Sequence, residues 1–310
     1  MGKYSIAIHG GAGTLVKGLM TEELEARYKA SLGEALEAGY SELQKGNSAL
    51  DAVEIAVKLL EDSPLFNAGK GSVFTAVGTH EMDAAIMDGK TLEAGAISLV
   101  TGIKNPVSLA RDVMEKSYHV FLAGDGAMRF AHDLGYRNED PQYFYDELRY
   151  QQWQDIKNTD SFQLDHSIKK DSKFGTVGAV ALDVNGNVAA ATSTGGMTNK
   201  KWGRVGDSPM IGAGNYANNK TCAVSCTGSG EFFIRGVVAY DVSCLMEYKG
   251  WSLEQAASEV IQKRVLEIGG DGGLIAVDGQ GNIAMPFNTE GMYRGFKKST
   301  GEGAISIYGG

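Results

Sequence analysis

The sequence predicts an α+β fold in which two packed β-sheets are enclosed by layers of helices. Helical patterns cluster at the ends of each half of the chain and strand patterns lie between them, which favours stacked layers. Glycine supplies 42 of the 310 residues, nearly double the usual ~7 %, as expected of a sheet-rich protein with many turns. The segments LDVNGNVA from Leu182 and VDGQGNIA from Val277 each predict a hairpin of the same geometry.

The first half begins with a strand at residues 4–8 and continues into two helices. Thr21 is suited to cap a helix that runs to about Gln44, with acidic residues at its positive end. Ser48 with Asp51 opens a second helix through Leu60. The rest of this half is predicted as strands near 82–87 and 94–100 and as helices from Pro106 and from Ala127.

The second half is predicted to contain strands near Thr176, Val188 and Ala223, helices from Glu231 and Ser252, and the last hairpin. Between the halves, residues 151 to about 175 have a different composition. Eight of the 23 residues from Gln151 to Lys173 are charged and the apolar ones follow no steady period. This composition predicts a mobile linker, although a plain surface loop is the alternative.

The step from Gly175 to Thr176 joins that linker to a strand. A threonine freed at its α-amine by cleavage of this bond carries a hydroxyl nucleophile and a base on one residue. The amine has an ordinary pKa of roughly 7.7–8.0 and so accepts a proton near neutral pH. An isolated Gly-Thr pair is also an ordinary strand start, so the neighbouring segments decide.

The hairpin after Thr176 brings a second threonine to it if its loop has three residues. With the loop at 184–186 and Gly186 in the left-handed region, Asp183 pairs with Asn187 and Thr176 with Thr194. A two-residue loop would turn the Thr194 hydroxyl to the other face. We favour the three-residue loop because the strand ends in TSTGG, whose small polar residues suit a site.

Two further segments complete a site for amide cleavage. The turn TGSG from Thr227 lies between a strand and a helix, where bare N–H groups can bind an oxyanion. Arg204 and Asp207 lie three residues apart in GRVGDSP and could hold the carboxylate and ammonium of an amino acid. Taken alone, the first segment is more often an ordinary tight turn, and the second is as often a surface ion pair.

Seven segments in the same order resemble plant-type L-asparaginases, or isoaspartyl aminopeptidases, of the N-terminal-nucleophile hydrolase superfamily. They are IHGGAG, SPLFNAGKGSVFT, EMDAAIMDG, GTVGAVALD, ATSTGG, GRVGDSP and SCTGSGEFFIR. The resemblance covers nearly the whole chain and implies a four-layer αββα sandwich. It implies that Thr176 is the nucleophile after autocleavage, supported by Thr194, that Thr227 and Gly228 form the oxyanion hole, that Arg204 binds the substrate α-carboxylate and Asp207 with Gly230 its α-amine, and that Asn67 reaches the catalytic centre.

The same resemblance implies a bound ion and an assembly. A structural sodium ion would be held by main-chain carbonyl oxygens of Leu60, Glu61, Ser63, Phe66, Ala68 and Lys70. A single domain, 1–310, would be cut into 1–175 and 176–310, and two cut pairs would form an (αβ)2 heterotetramer. No organic cofactor is implied.

These features predict an autoprocessing threonine amidohydrolase that cleaves β-aspartyl dipeptides and L-asparagine and releases L-aspartate. Two alternatives stay open. A glycosylasparaginase-like enzyme would need a wide leaving-group side and would release an N-acetylglucosamine product. A non-catalytic binder of aspartyl ligands would keep its full-length mass after long incubation.

Composition limits the partners and the compartment. The net charge of −9 argues against nucleic acid or an anionic membrane as partner. The sequence has no ~18-residue apolar run and no signal-peptide pattern, and its three cysteines fit a reducing compartment. We therefore expect a cytoplasmic enzyme with a small-molecule or dipeptide substrate. The sequence contains neither a G-x-S-x-G elbow nor an H-E-x-x-H zinc motif.

Overall fold

The computed structural model describes residues 2–13, 15–18, 20–158 and 175–309. Its helices are α1 (Glu22–Lys45), α2 (Ala49–Asp62), α3 (Pro106–Lys116), α4 (Gly124–Asp133), α5 (Glu147–Ile156), α6 (Gly230–Gly236), α7 (Val238–Lys249) and α8 (Leu253–Glu259). Short 3₁₀ turns lie at Gly69–Gly71 and Pro141–Phe144, and α8 continues into a π-helical segment at Val260–Val265.

The strands form two sheets. They are β1 (Ser5–Gly13), β2 (Met82–Asp88), β3 (Ala94–Val100), β4 (Phe121–Ala123), β5 (Val177–Leu182), β6 (Val188–Thr194), β7 (Asn215–Ala217), β8 (Cys222–Gly228), β9 (Gly272–Asp278), β10 (Ile283–Ala284), β11 (Gly291–Lys298) and β12 (Gly303–Tyr308). In the described part of the chain, the large sheet has the order β12-β11-β1-β5-β6-β2-β3-β4 and the small sheet the order β10-β9-β8-β7.

Three buried apolar clusters separate four layers. The first lies between helices α1–α3 and one face of the large sheet, the second between the two sheets, and the third between the small sheet and α6–α8. Strand β1 shows the alternation that builds them, because Ile6 and Ile8 face the helices while Ala7 faces the small sheet. The predicted αββα sandwich is confirmed.

The predicted helix starts follow from side-chain caps. The Thr21 hydroxyl accepts a hydrogen bond from the Leu24 amide at 3.2 Å, and Ser48 with Asp51 forms a reciprocal capping box at the start of α2. Ser252 and Gln255 do the same before α8. The helix predicted from Ala127 begins earlier, at Gly124.

The hairpin after Thr176 has the three-residue loop. The Asp183 amide donates to the Asn187 carbonyl at 2.9 Å, and Gly186 adopts a φ of 82°, which favours glycine. Val177 lies opposite Ser193, so Thr176 lies opposite Thr194, as predicted. The hairpin from Val277 repeats this geometry, with Val277 opposite Ile283 and Gly281 at φ 80°.

The linker predicted from residue 151 is wrong over its first residues, which belong to α5. The Asp146 carboxylate caps this helix by accepting from the Arg149 amide at 3.1 Å, and Trp153 stacks on Phe74 with ring centroids 5.6 Å apart. The helix is therefore held by long-range packing, which sequence period alone does not reveal. The rest of the predicted linker, at 159–174, lies outside the described residues.

Candidate active site

Thr176 lies immediately before β5 with its side chain in the space between the two sheets. The residue is only 7 % exposed. Its Oγ1 lies 3.2 Å from the Ser208 Oγ, and Thr194 is its neighbour across the β5–β6 pair. The strand register therefore gives a buried hydroxyl a second threonine on the same face of the sheet.

Gly175 is enclosed by two other segments of the predicted site. A Cβ built on Gly11, whose φ is 114°, would lie 2.6 Å from the Gly175 nitrogen. A Cβ built on Gly175 would lie 3.0 Å from the Thr227 Oγ1. The IHGGAG, GTVGAVALD and SCTGSGEFFIR segments thus meet at this one peptide, and the contacts leave no room for side chains at Gly11.

The end of β8 presents the predicted oxyanion donors. Thr227 is fully buried, and its Oγ1 has no hydrogen-bond partner within the described residues. Gly228 packs so closely that a Cβ there would lie 2.3 Å from the Asp271 carbonyl oxygen, which fixes the turn. A buried hydroxyl without a partner is costly, and here it faces the Gly175–Thr176 junction, where it can stabilise developing negative charge.

Asn67 holds the turn that follows Thr194. Its Nδ2 donates to the Gly196 carbonyl at 2.7 Å, and its own carbonyl accepts from the Gly195 amide at 3.0 Å. The Gly196 amide in turn donates to the Thr194 Oγ1 at 3.0 Å. Asn67 therefore lies beside the turn that follows Thr194, and its contacts orient that turn.

Arg204, Asp207 and Gly230 lie close together. A Cβ built on Gly230 would lie 2.9 Å from the Asp207 Oδ1 and 3.0 Å from the Arg204 Nη2. The Arg204 Nε and Nη2 donate to the two carboxylate oxygens of Glu231 at 2.8 and 2.9 Å. Asp207 is buried, and burial raises its pKa to about 7 while the Arg204 charge opposes this.

The predictions did not include Ser208 and Glu231, which contact Thr176 and Arg204 respectively. Both belong to segments that carried the family resemblance. Spacing along the chain does not show which side chain meets which across two segments, so these pairings needed the structure. Sequence proximity to Asp207 and Gly230 was the one available signal.

His9 lies beside the site and contacts a pair of buried hydroxyl groups. It is fully buried, and its Nε2 lies 2.9 Å from the Ser225 Oγ, which lies 2.7 Å from the Thr192 Oγ1. Burial lowers the pKa of His9 to about 3, an effect that the Thr176 main chain partly opposes. The ring is therefore neutral, and it lies against β5, since a Cβ built on Gly178 would lie 2.4 Å from its Nε2.

The loop at 60–70 is curled so that several carbonyl groups come close to other backbone. A Cβ on Gly69 would lie 2.5 Å from the Glu61 carbonyl oxygen, and one on Gly71 would lie 2.1 Å from that of Phe66. The Glu61 Oε1 accepts from the Val107 amide at 2.9 Å, whereas its Oε2 has no hydrogen-bond partner among the described residues. Main-chain carbonyl oxygens are the ligands that the sodium prediction requires of this loop.

Comparisons with known proteins show the family of the chain. The family model described as asparaginase matches residues 2–307. An isoaspartyl peptidase of Escherichia coli K12 is 52 % identical over 99 % of this chain and 97 % of its own length. A probable isoaspartyl peptidase/L-asparaginase of Arabidopsis thaliana is 42 % identical over 99 % of this chain and 100 % of its own length. A plant-type L-asparaginase of Pyrococcus abyssi is 45 % identical over 95 % of this chain and 96 % of its own length. The chain therefore belongs to the asparaginase family of N-terminal-nucleophile hydrolases.

Proposed function

We propose that the protein hydrolyses β-aspartyl bonds, releasing L-aspartate from isoaspartyl dipeptides and from L-asparagine. The observation that carries the proposal is the arrangement of three groups around Thr176 and the turn after Thr227. The β5–β6 register, continued by one residue, puts Thr176 opposite Thr194. The Thr227 hydroxyl, which has no hydrogen-bond partner among the described residues, faces Gly175, and Arg204 and Asp207 contact Gly230 in the turn that follows Thr227. The full-length likeness to isoaspartyl peptidases supports it.

Maturation comes first. The Thr176 Oγ1 attacks the Gly175 carbonyl carbon, the C–N bond breaks, and an ester joins Gly175 to the threonine side chain. Water hydrolyses this ester and leaves a carboxylate on Gly175 and a free hydroxyl and α-amine on Thr176. The Thr227 hydroxyl, which lies beside Gly175, stabilises the oxyanion of this step.

Turnover then uses the same residue. The free α-amine takes the proton of the Thr176 hydroxyl, which attacks the substrate side-chain carbonyl. Thr227 and the Gly228 N–H stabilise the tetrahedral oxyanion while Thr194 supports the nucleophile. The protonated amine gives its proton to the leaving nitrogen, and an aspartyl ester remains on Thr176. Water activated by the same amine releases L-aspartate.

Substrate orientation follows from the charges of the site. Arg204 binds the α-carboxylate with the part of its guanidinium that Glu231 leaves free, and Asp207 with Gly230 binds the α-ammonium. The leaving group is not gripped by these residues. Ammonia from asparagine and an amino acid from a dipeptide can therefore leave from the same site.

The proposal also includes a bound ion, an assembly and a compartment. Main-chain oxygens of Leu60, Glu61, Ser63, Phe66, Ala68 and Lys70 would hold a structural sodium, which when bound would rigidify the loop that carries Asn67. Two cleaved pairs would form an (αβ)2 assembly in the cytoplasm. None of the helices in the described ranges has the length and apolar character that a membrane span requires.

The test is incubation of the purified full-length chain, followed by assays of a β-aspartyl dipeptide, L-asparagine and N-acetylglucosaminyl-asparagine. We expect fragments of 175 and 135 residues on a denaturing gel and release of L-aspartate from the first two substrates. A single full-length band under active conditions would exclude the autocleavage mechanism. Faster turnover of N-acetylglucosaminyl-asparagine than of the other two substrates would favour a glycosylasparaginase-like activity. No turnover of any of the three would favour a non-catalytic binder.

A further inference from the structure

The EMDAAIMDG segment brings a buried acidic residue to the back of the site, with no part in the reaction described above. On β2, Asp83 lies opposite Thr194 of β6, and the β5–β6 register, continued by one residue, puts Thr194 opposite Thr176. Directly opposed residues on antiparallel strands share a face of the sheet, with Cβ atoms about 5 Å apart. Thr176, Thr194 and Asp83 therefore form a row, which we call the nucleophile row.

The Asp83 carboxylate is held rigidly. The residue is fully buried, and its Oδ1 accepts from the Leu99 amide at 3.0 Å. Leu99 lies at an irregularity in the β2–β3 pairing and adopts a φ of 58°, a conformation that costs energy for a residue with a side chain. Within the described residues the Oδ2 has no hydrogen-bond partner.

Lys200 supplies a buried positive charge beside this row. Its side chain is only 1 % exposed, and its Nζ donates to the Glu81 carbonyl at 2.8 Å. A Cβ built on Gly196 would lie 3.2 Å from this Nζ. Because the Gly196 amide donates to the Thr194 Oγ1, Lys200 packs directly behind the turn that orients the Thr194 hydroxyl.

The two side chains attract each other. Burial raises the pKa of Asp83 and lowers the pKa of Lys200, and the attraction of Lys200 for Asp83 and Glu81 opposes both shifts. Buried opposite charges seldom stabilise a fold more than apolar residues of the same volume, so stability alone does not explain them. Arg204 also attracts Asp83, but Glu231 holds Arg204 independently.

We propose that Asp83 and Lys200 are positioning residues that fix Thr194 and the Gly195–Gly196 turn against Thr176. The inference rests on the proposed role of Thr176 as nucleophile. Neither residue is placed on the substrate. Their loss should therefore slow self-cleavage and kcat, while substrate binding at Arg204 and Asp207 is largely kept.

The experiment compares Asp83→Asn, Lys200→Met, their double variant and Lys200→Arg with the parent protein. The matched control is Asp88→Asn, which changes an acidic residue at the far end of the same strand. We expect each neutralising variant to lower kcat of the cleaved enzyme roughly tenfold to a hundredfold, as for a displaced reacting group, with KM changed less than about threefold. Lys200→Arg should restore most of the rate, and the control should match the parent.

The double variant provides the sharper readout. If the two charges act as a unit, it should be no slower than the worse single variant. A kcat within about twofold of the parent for cleaved Asp83→Asn, or single losses that multiply in the double variant, would overturn the inference. The rate of self-cleavage gives a second readout on protein whose cooperative thermal melt shows that it is folded.

Loss of folding is also informative. If Asp83→Asn alone fails to melt cooperatively, the inference is tested by comparing the kcat of Lys200→Met with that of Lys200→Arg. A low kcat for Lys200→Met that Lys200→Arg restores would support the inference, and equal kcat values would overturn it. If both neutralising variants fail, the pair is structural and the inference is wrong. An inactive parent protein would instead contradict the proposed function, which separates the two failures.

Discussion

The Glu231 carboxylate accepts hydrogen bonds of 2.8 and 2.9 Å from two of the three guanidinium nitrogens of Arg204. The pair fixes the plane of the guanidinium next to Asp207 and Gly230. A planar, fixed fork is what recognition of a carboxylate requires. The Arg204–Glu231 contact therefore organises the end of the site that would hold the aspartyl moiety.

Arg204→Ala should weaken the use of L-asparagine and of β-aspartyl dipeptides by a similar factor, because both present the same α-carboxylate. Loss of a charge-assisted hydrogen-bonding partner should cost about 1.5–3 kcal/mol, or roughly tenfold to 150-fold in KM. Steady-state kinetics on cleaved variants measure this. Arg204→Lys should recover only part of the loss. A defect confined to dipeptides would mean that Arg204 contacts the leaving group.

Thr227→Val should damage turnover more than substrate binding. The Thr227 hydroxyl has no partner among the described residues, so its role lies in charge that develops during the reaction. Loss of one such donor lowers kcat by roughly 10²–10³-fold. Rapid-quench and steady-state assays on the cleaved fraction test this, and self-cleavage is followed separately on a gel. An unchanged kcat with a raised KM would show that Thr227 only contacts substrate.

Gly11→Ala should block or greatly slow cleavage between Gly175 and Thr176. The added Cβ would lie 2.6 Å from the Gly175 nitrogen and would displace the bond to be cut. Gly18→Ala is the matched control, since Gly18 also has a positive φ, of 89°, but nothing within 4 Å of an added Cβ. The fraction cleaved over time on a denaturing gel is the measurement. Equal cleavage in both variants would rule out this contact as a determinant.

Binding of L-aspartate should weaken as the pH falls through about 7, the value to which burial raises the pKa of Asp207. Above that pH the carboxylate is ionised and attracts the α-ammonium, whereas below it the neutral acid does not. Affinity should then fall by about tenfold per pH unit. Calorimetric titration of L-aspartate measures binding alone, without the catalytic step in which the α-amine of Thr176 acts as base. Asp207→Asn should bind weakly at every pH, and a pH-dependent Asp207→Asn would contradict the assignment.

The Thr176–Thr194 pairing was predictable because it depends on local information. The loop at 184–186 sets the register, and counting along two adjacent strands then fixes which residues face each other. The hairpin at Val277 and the caps at Thr21, Ser48 and Ser252 follow from equally short-range signals. In these cases sequence spacing and structure coincide.

The position of Asp83 was not predictable in the same way. Its place beside Thr194 depends on β2 pairing with β6, a choice of strand order made by packing between segments more than 100 residues apart. The Arg204–Glu231 contact and the stacking of Trp153 on Phe74 are likewise long-range. The family resemblance supplied residue roles that spacing alone left open.

The place of β1 has a consequence for when the enzyme becomes active. Its neighbours on both sides, β5 and β11, come from beyond Thr176, and Gly11 at its end packs on Gly175. A chain still being synthesised, without β11, has one side of β1 unpaired and cannot hold that contact firmly. We therefore expect self-cleavage to wait for completion of the whole polypeptide, so that the cut serves as a checkpoint of synthesis, after which three strand pairings keep the two pieces together.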